Sequence, residues 1–255
     1  MLHVEEVGTG DPAILLHSHG LSGRQWKRLS EELVARGLRA IAVDLAGQGR
    51  SQPWPEPEPF SFEIDVERVV ELARAARPAH VVGHSYGGLV ALHDARAAPS
   101  AVRTLSVFDP VAFGVLDPVA DRDACAILAN LDLSWGARPD DRERWLRTFV
   151  EFWSGAGAWG ALRDDARDEF RRVAWIIREG VRTLMDDRTP GSAFAALDMP
   201  ALLVTGEHSP LPARRVVDRL ADAMPRARRA IVPGVGHLGP VTNARAVNAE
   251  IVAAL

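Results

Sequence analysis

The sequence predicts an α/β protein built on a doubly wound, mostly parallel sheet, and three observations predict it. Short apolar runs end at turns and lead into helical patterns along most of the chain. The 255 residues are long enough for one large domain with a sizeable core, or for a core carrying an insertion. One run, HVVGH (80–84), enters Ser85-Tyr86-Gly87-Gly88, a glycine-dense bend after which helix-forming residues resume.

The elements follow in order. LHVEEVG (2–8) adds an edge strand, and AILLH (13–17) precedes a loop. QWKRLSEELVARG (25–37) sets Trp26, Leu29, Leu33 and Val34 at helical spacing. RAIAVDL (39–45) is a strand ending in the glycine-punctuated AGQGRS, and the proline-rich PWPEPEP (53–59) reads as a stiff surface loop. FEIDVERVVELARAA (62–76) is a helix whose apolar positions are Ile64, Val66, Val69, Val70 and Leu72. TLSVFD (104–109), ALLVTG (201–206) and RAIVPG (229–234) complete the strands.

Between about Val111 and Asp198 the rhythm breaks and only helices are expected. DDRERWLRTFVEFWSG places Trp145, Phe149 and Phe152 on one face; RDDARDEFRRVAWIIREGVRTLM places Phe170, Val173, Ile177, Val181 and Leu184 on another. Trp135, Trp145, Trp153, Trp159 and Trp175 all lie here. They either pack a helical subdomain onto the sheet or line an apolar pocket above it. Gly155, Gly157 and Gly160 form an interhelix loop or hinges.

Composition removes several function classes. Lys+Arg is 30 against Asp+Glu 34, and this net charge of -4 carries no footprint for nucleic acid or an anionic membrane. The first residues lack the basic and apolar regions of a signal peptide, and no apolar run approaches the roughly 18 residues of a membrane span. Cys125, the single cysteine, excludes an internal disulfide framework. A cytoplasmic protein is expected.

Gly83-His84-Ser85-Tyr86-Gly87 fits Gly-x-Ser-x-Gly with a strand before and a helix after, the context in which the serine Oγ is lifted from a strained turn. Larger residues at the glycines would clash with the neighbouring strand and helix. Serine needs a base within hydrogen-bond reach. Of the eight histidines, His237 sits in IVPGVGHLGP, a glycine-rich loop just beyond a late strand. His84, inside the bend, is expected to point away from Ser85's partners, and His93 falls on the following helix.

LLHSHG, VDLAGQGRS, GHSYGG, VTGEHSP and PGVGH, in this order, resemble the α/β-hydrolase fold superfamily along nearly the whole chain. The resemblance implies Ser85 as nucleophile and His237 as base. It also implies a core of residues 1–112 and 198–255, with a helical cap of 113–197 inserted after the sixth strand. Relatives usually carry an aspartate three residues beyond the glycine ending the seventh strand; here that position is Ser209. Asp109, ending TLSVFD before Pro110, is therefore the expected acid, at a place some members of the fold use, with Glu207 as the rival. The oxyanion donors are expected to be the backbone N–H groups of Tyr86 and His19, or of Leu21 in the alternative loop register. Asp44 is expected to anchor its loop.

No glycine-rich phosphate loop or metal-ligand spacing stands out, so cofactor-free chemistry is expected. The implied activity is a serine hydrolase cleaving an ester, thioester or related acyl bond of a small, partly apolar molecule. A C–C bond hydrolase, a perhydrolase, an acyltransferase and a ligand receptor with a vestigial triad are the alternatives.

Overall fold

A computed structural model describes every residue except 77 and 137. Its seven strands are β1 (His3–Val7), β2 (Pro12–Leu16), β3 (Arg39–Asp44), β4 (Ala79–His84), β5 (Val102–Phe108), β6 (Ala201–Gly206) and β7 (Ala227–Val232). They form one sheet in the order β1-β3-β2-β4-β5-β6-β7, with only β1 antiparallel to its neighbour. β1 exposes Glu5 and Glu6, charges that protect an open edge from further pairing.

The strands at the centre are apolar on both sides because both faces are covered. Ile14, Leu16, Val81, Leu105, Val107 and Leu203 point to the larger core. That core is shared with α2 (Phe62–Ala76), α3 (Tyr86–Ala97) and α9 (Leu211–Ala223). Ala13, Leu15, Val82, Leu202 and Val204 point to a second core under α1 (Lys27–Val34) and α11 (Ala244–Val252). This alternation is the doubly wound arrangement expected from the strand and helix order.

Between β5 and β6 the described residues form helices and no strand: α4 (Arg122–Ala129), α5 (Pro139–Ser154), α6 (Ala158–Ala161), α7 (Asp164–Arg172) and α8 (Ala174–Asp186), with short 3-10 turns at each end. A last short helix, α10 (Gly239–Thr242), precedes α11. The insert thus follows the fifth strand counted along this chain and not the sixth, because a single strand precedes β2. α5 opens with Pro139 at its first turn beside Asp140 and Asp141, which suit the positive helix end, and it stops at Gly155, whose φ is 92°.

Two helix readings change. The expected helix 25–37 is a 3-10 turn (Gly23–Trp26) followed by α1, and Val34 in its last turn is 38% exposed and outside the core. The single helix expected through Val173 breaks there: α7 is a charged surface helix with no buried residue, whereas α8 buries Ile176, Ile177 and Leu184. The break lets these two faces point in different directions. No helix among the described residues is long and apolar enough to cross a membrane.

Candidate active site

Ser85 occupies the bend between β4 and α3 with φ 55° and ψ -115°, a conformation that costs a non-glycine residue ~1–3 kcal/mol. The bend is over-determined by its neighbours. The Ser85 N–H donates to the Phe108 carbonyl (2.9 Å), and its own carbonyl accepts from Leu89 (3.0 Å) and Val111 (3.3 Å). The glycines allow this crowding. A Cβ on Gly83 would stand 2.3 Å from the Gly87 carbonyl oxygen, and one on Gly87 2.3 Å from that of Leu16.

His237 is brought over the sheet end by the loop after β7. Its Nε2 lies 2.9 Å from Ser85 Oγ and its Nδ1 3.1 Å from Asp109 Oδ2. Because the carboxylate only accepts, Nδ1 carries the proton and Nε2 is free to accept one. Asp109 follows β5, is fully buried, and has φ 44°, a left-handed value that aspartate tolerates better than most residues. Its carboxylate also accepts from Thr205 Oγ1 (2.6 Å) and Ser209 Oγ (2.5 Å). Ser209, standing where relatives usually have the acid, thus donates to the Asp109 carboxylate one strand away. Glu207 is exposed and accepts from the Gly234 N–H (2.8 Å), away from the imidazole.

His84 departs from expectation. Its Nε2 donates to the His237 carbonyl (2.8 Å), so its side chain points toward His237 and holds that residue's loop. Burial, and then the nearby His237, drive its pKa well below the ordinary histidine value, which keeps it neutral.

The loop after β2 is fixed by side chains from elsewhere. Ser18 N–H donates to Gln25 Oε1 (3.1 Å), Gly20 N–H to Gln48 Oε1 (2.8 Å) and Leu21 N–H to the Ser18 carbonyl (3.2 Å). His17 donates from Nδ1 to the Ser18 carbonyl and accepts from the Leu45 N–H at Nε2 (3.0 Å); burial lowers its pKa to about 4. Among the described residues, the N–H groups of His19 and Tyr86 make no such bond. Asp44 anchors its loop as expected, accepting from the N–H groups of Gly23 (2.6 Å) and Arg50 (2.8 Å).

Three further features carry no periodicity in the sequence. The His19 ring stacks on Tyr86 with centroids 3.6 Å apart, and burial holds its pKa down at about 3. Tyr86 Oη donates to Asp65 (2.8 Å), which also accepts from the Ala46 N–H (2.9 Å) and is pushed up to about 6 by burial. Trp153 stacks on the His237 ring at 3.9 Å and 26°.

Above Ser85 lies a narrow apolar cavity. Ser85, His19 and Tyr86 form its floor, and its walls are apolar residues from the insert, including Leu128, Leu131, Phe149, Phe152, Trp153 and Leu184. Trp153 alone of the five insert tryptophans lines it; Trp145 and Trp159 are buried in the insert, and the Trp175 N–H donates to the Glu58 carbonyl (2.9 Å). Among the described residues no group of three or more His, Cys, Asp or Glu side chains is arranged as metal ligands.

Comparison with known proteins agrees with this architecture. Residues 13–250 match the model of the "Alpha/beta hydrolase family". The lipase LipV of Mycobacterium tuberculosis is 32% identical over 186 residues, which cover 60% of this chain and 70% of the lipase. A pimeloyl-[acyl-carrier protein] methyl ester esterase of Chromobacterium violaceum is 37% identical over 108 residues, 42% of this chain and 39% of that protein. Among solved structures, a thermophilic esterase from Thermogutta terrifontis superposes with a TM-score of 0.74 at 22% identity, covering 99% of this chain and 92% of the esterase. An esterase from Exiguobacterium antarcticum reaches the same TM-score at 15% identity, covering 99% and 94%. These two likenesses speak to fold, and the family match extends over nearly the whole sequence. The chain belongs to the alpha/beta hydrolase family and is an enzyme of that family.

Proposed function

We propose that the chain is a serine carboxylic-ester hydrolase working through an acyl-enzyme. The observation that carries this reading is the continuous relay from Asp109 through His237 to Ser85, set at the floor of an apolar cavity. Ser85 Oγ attacks the ester carbonyl while His237 Nε2 takes its proton. Asp109 fixes the Nδ1–H tautomer and offsets the charge that the imidazole acquires. The N–H groups of His19 and Tyr86 receive the oxyanion, each worth about 3–4 kcal/mol in the transition state. His237 then protonates the leaving alcohol, a water takes the alcohol's place, and the same base activates that water to release the acid from Ser85.

In this reading residues 113–197 act as the cap, supplying the cavity walls, and the core is 1–112 with 198–255. The lipase and methyl ester esterase names of two relatives support ester bonds as the substrate class, and the apolar walls favour a small, partly apolar acyl group. A cytoplasmic location accords with the single cysteine. Hydrolysis of a series of simple esters, together with stoichiometric fluorophosphonate labelling that disappears in Ser85→Ala, tests the proposal. Labelling that persists in that variant places the nucleophile elsewhere.

A further inference from the structure

We propose that Trp153 closes the alcohol side of the site, so that the substrates are esters of a small alcohol, of methanol or ethanol size, carrying a neutral apolar acyl chain. The inference rests on the hydrolase reading above and adds to it which half of the ester the cavity receives.

The two halves of an ester must lie in different places. The carbonyl sits at Ser85 with its oxygen toward the oxyanion donors, whereas the leaving oxygen must come within hydrogen-bond reach of His237 Nε2 to take a proton. The cavity touches Ser85, His19 and Tyr86 but His237 does not line it. Trp153 lines the cavity, and the same indole covers one face of the His237 ring at 3.9 Å, standing between that ring and the cavity's other apolar walls. His237 is 2% exposed, so little open space surrounds it. Trp153 is itself braced, with Phe152 edge-on at 4.6 Å and Phe113 parallel to it at 6.5 Å. The open volume therefore belongs to the acyl chain, and the alcohol is confined between Ser85 and a braced indole. The acyl walls offer no side-chain charge, which selects a neutral chain, since an unpaired buried carboxylate or ammonium is strongly disfavoured.

The test is kcat/KM for the methyl, ethyl, isopropyl and benzyl esters of hexanoic acid, followed by acid release. Methanol and benzyl alcohol are similar in acidity, so their ratio reads size. The wild type is expected to favour methyl over benzyl by at least tenfold. Trp153→Ala is expected to shrink that ratio at least tenfold through a gain on the benzyl ester, and Trp153→Phe to fall between the two. Equal cleavage of methyl and benzyl hexanoate by the wild type, or an unchanged ratio in Trp153→Ala, overturns the inference. Fluorophosphonate labelling of Ser85 separates the two readings. A labelled serine with no preference for small alcohols defeats this inference alone, whereas an unlabelled serine and no turnover of any ester defeats the hydrolase reading with it.

Discussion

Asp109→Asn is the substitution that most directly tests the relay. The side chain is isosteric, and the backbone at φ 44° suits asparagine as well as aspartate, so the fold is expected to survive with little change in Tm. The Thr205 and Ser209 hydroxyls that donate to the carboxylate can turn and accept from an amide instead. What cannot be replaced is the charge. Two unit charges separated by the 3.1 Å between His237 Nδ1 and Asp109 Oδ2 attract by about 5 kcal/mol at an effective dielectric constant of about 20. That attraction exists only once the imidazole is protonated, in the transition state, so its loss falls on kcat and not on KM. At 1.36 kcal/mol per factor of ten, kcat is expected to drop about 10³- to 10⁴-fold. An amide rotamer that donates to Nδ1 would add to the loss by fixing the wrong tautomer. Steady-state kinetics on a simple ester, beside a thermal melt, reads both quantities. An Asp109→Asn enzyme within tenfold of wild type, alongside a crippled Glu207→Gln enzyme, would refute the reasoning.

Other substitutions follow from the same geometry. Glu207→Gln, which touches only the Gly234 N–H among the described residues, is expected to stay within about threefold of wild type in kcat/KM, since exposed polar contacts are worth little. Ser209→Ala removes a donor to a buried carboxylate, a bond worth about 1.5–3 kcal/mol, and is expected to lower kcat about tenfold; Ser209→Asp in the Asp109→Asn background is expected to recover part of the lost rate by returning a carboxylate to the site. Asp94 on α3 is fully buried, its carboxylate oxygens have no hydrogen-bond partner among the described residues, and burial pushes its pKa up to about 7. A raised carboxylate pKa favours folding below the ordinary aspartate range and that stability is lost as pH rises through about 7, so urea unfolding of Asp94→Asn is expected to show a gain over wild type of up to about 4 kcal/mol at pH 8 that closes by pH 4. A gain equal at both pH values would remove the ionisation argument.

Much of the fold and part of the site were legible because local chemistry demanded particular residues. Gly83 and Gly87 have carbonyl oxygens 2.3 Å from where a Cβ would stand, so the turn can be made with few other sequences. Asp109 was legible for a related reason, an aspartate ending an apolar strand before a proline. The supporting contacts were not. His84 reaches a carbonyl 153 residues away, Tyr86 joins the one buried carboxylate among the several charged residues of α2, and Trp153 covers a ring 84 positions later. No spacing rule connects residues that meet only because two elements dock. The break at Val173 was hidden likewise, since neither glycine nor proline marks it and the apolar pattern runs through it.

The register of β4 with β5 pairs His84 with Phe108, which makes Ser85 and Asp109 the next residue along each strand. The proposed nucleophile and acid therefore stand opposite each other just past the last pair of one strand ladder, and their separation is set by strand pairing at the centre of the sheet. His237, the proposed base, arrives on a loop, tied by the His84 bond to its carbonyl and by the His208 N–H to the Val235 carbonyl. Warming such an assembly divides it into a rigid part and a movable one. Activity would fade first, and reversibly, as residues 233–238 swing out, at temperatures where the sheet and the two groups it carries still stand in place.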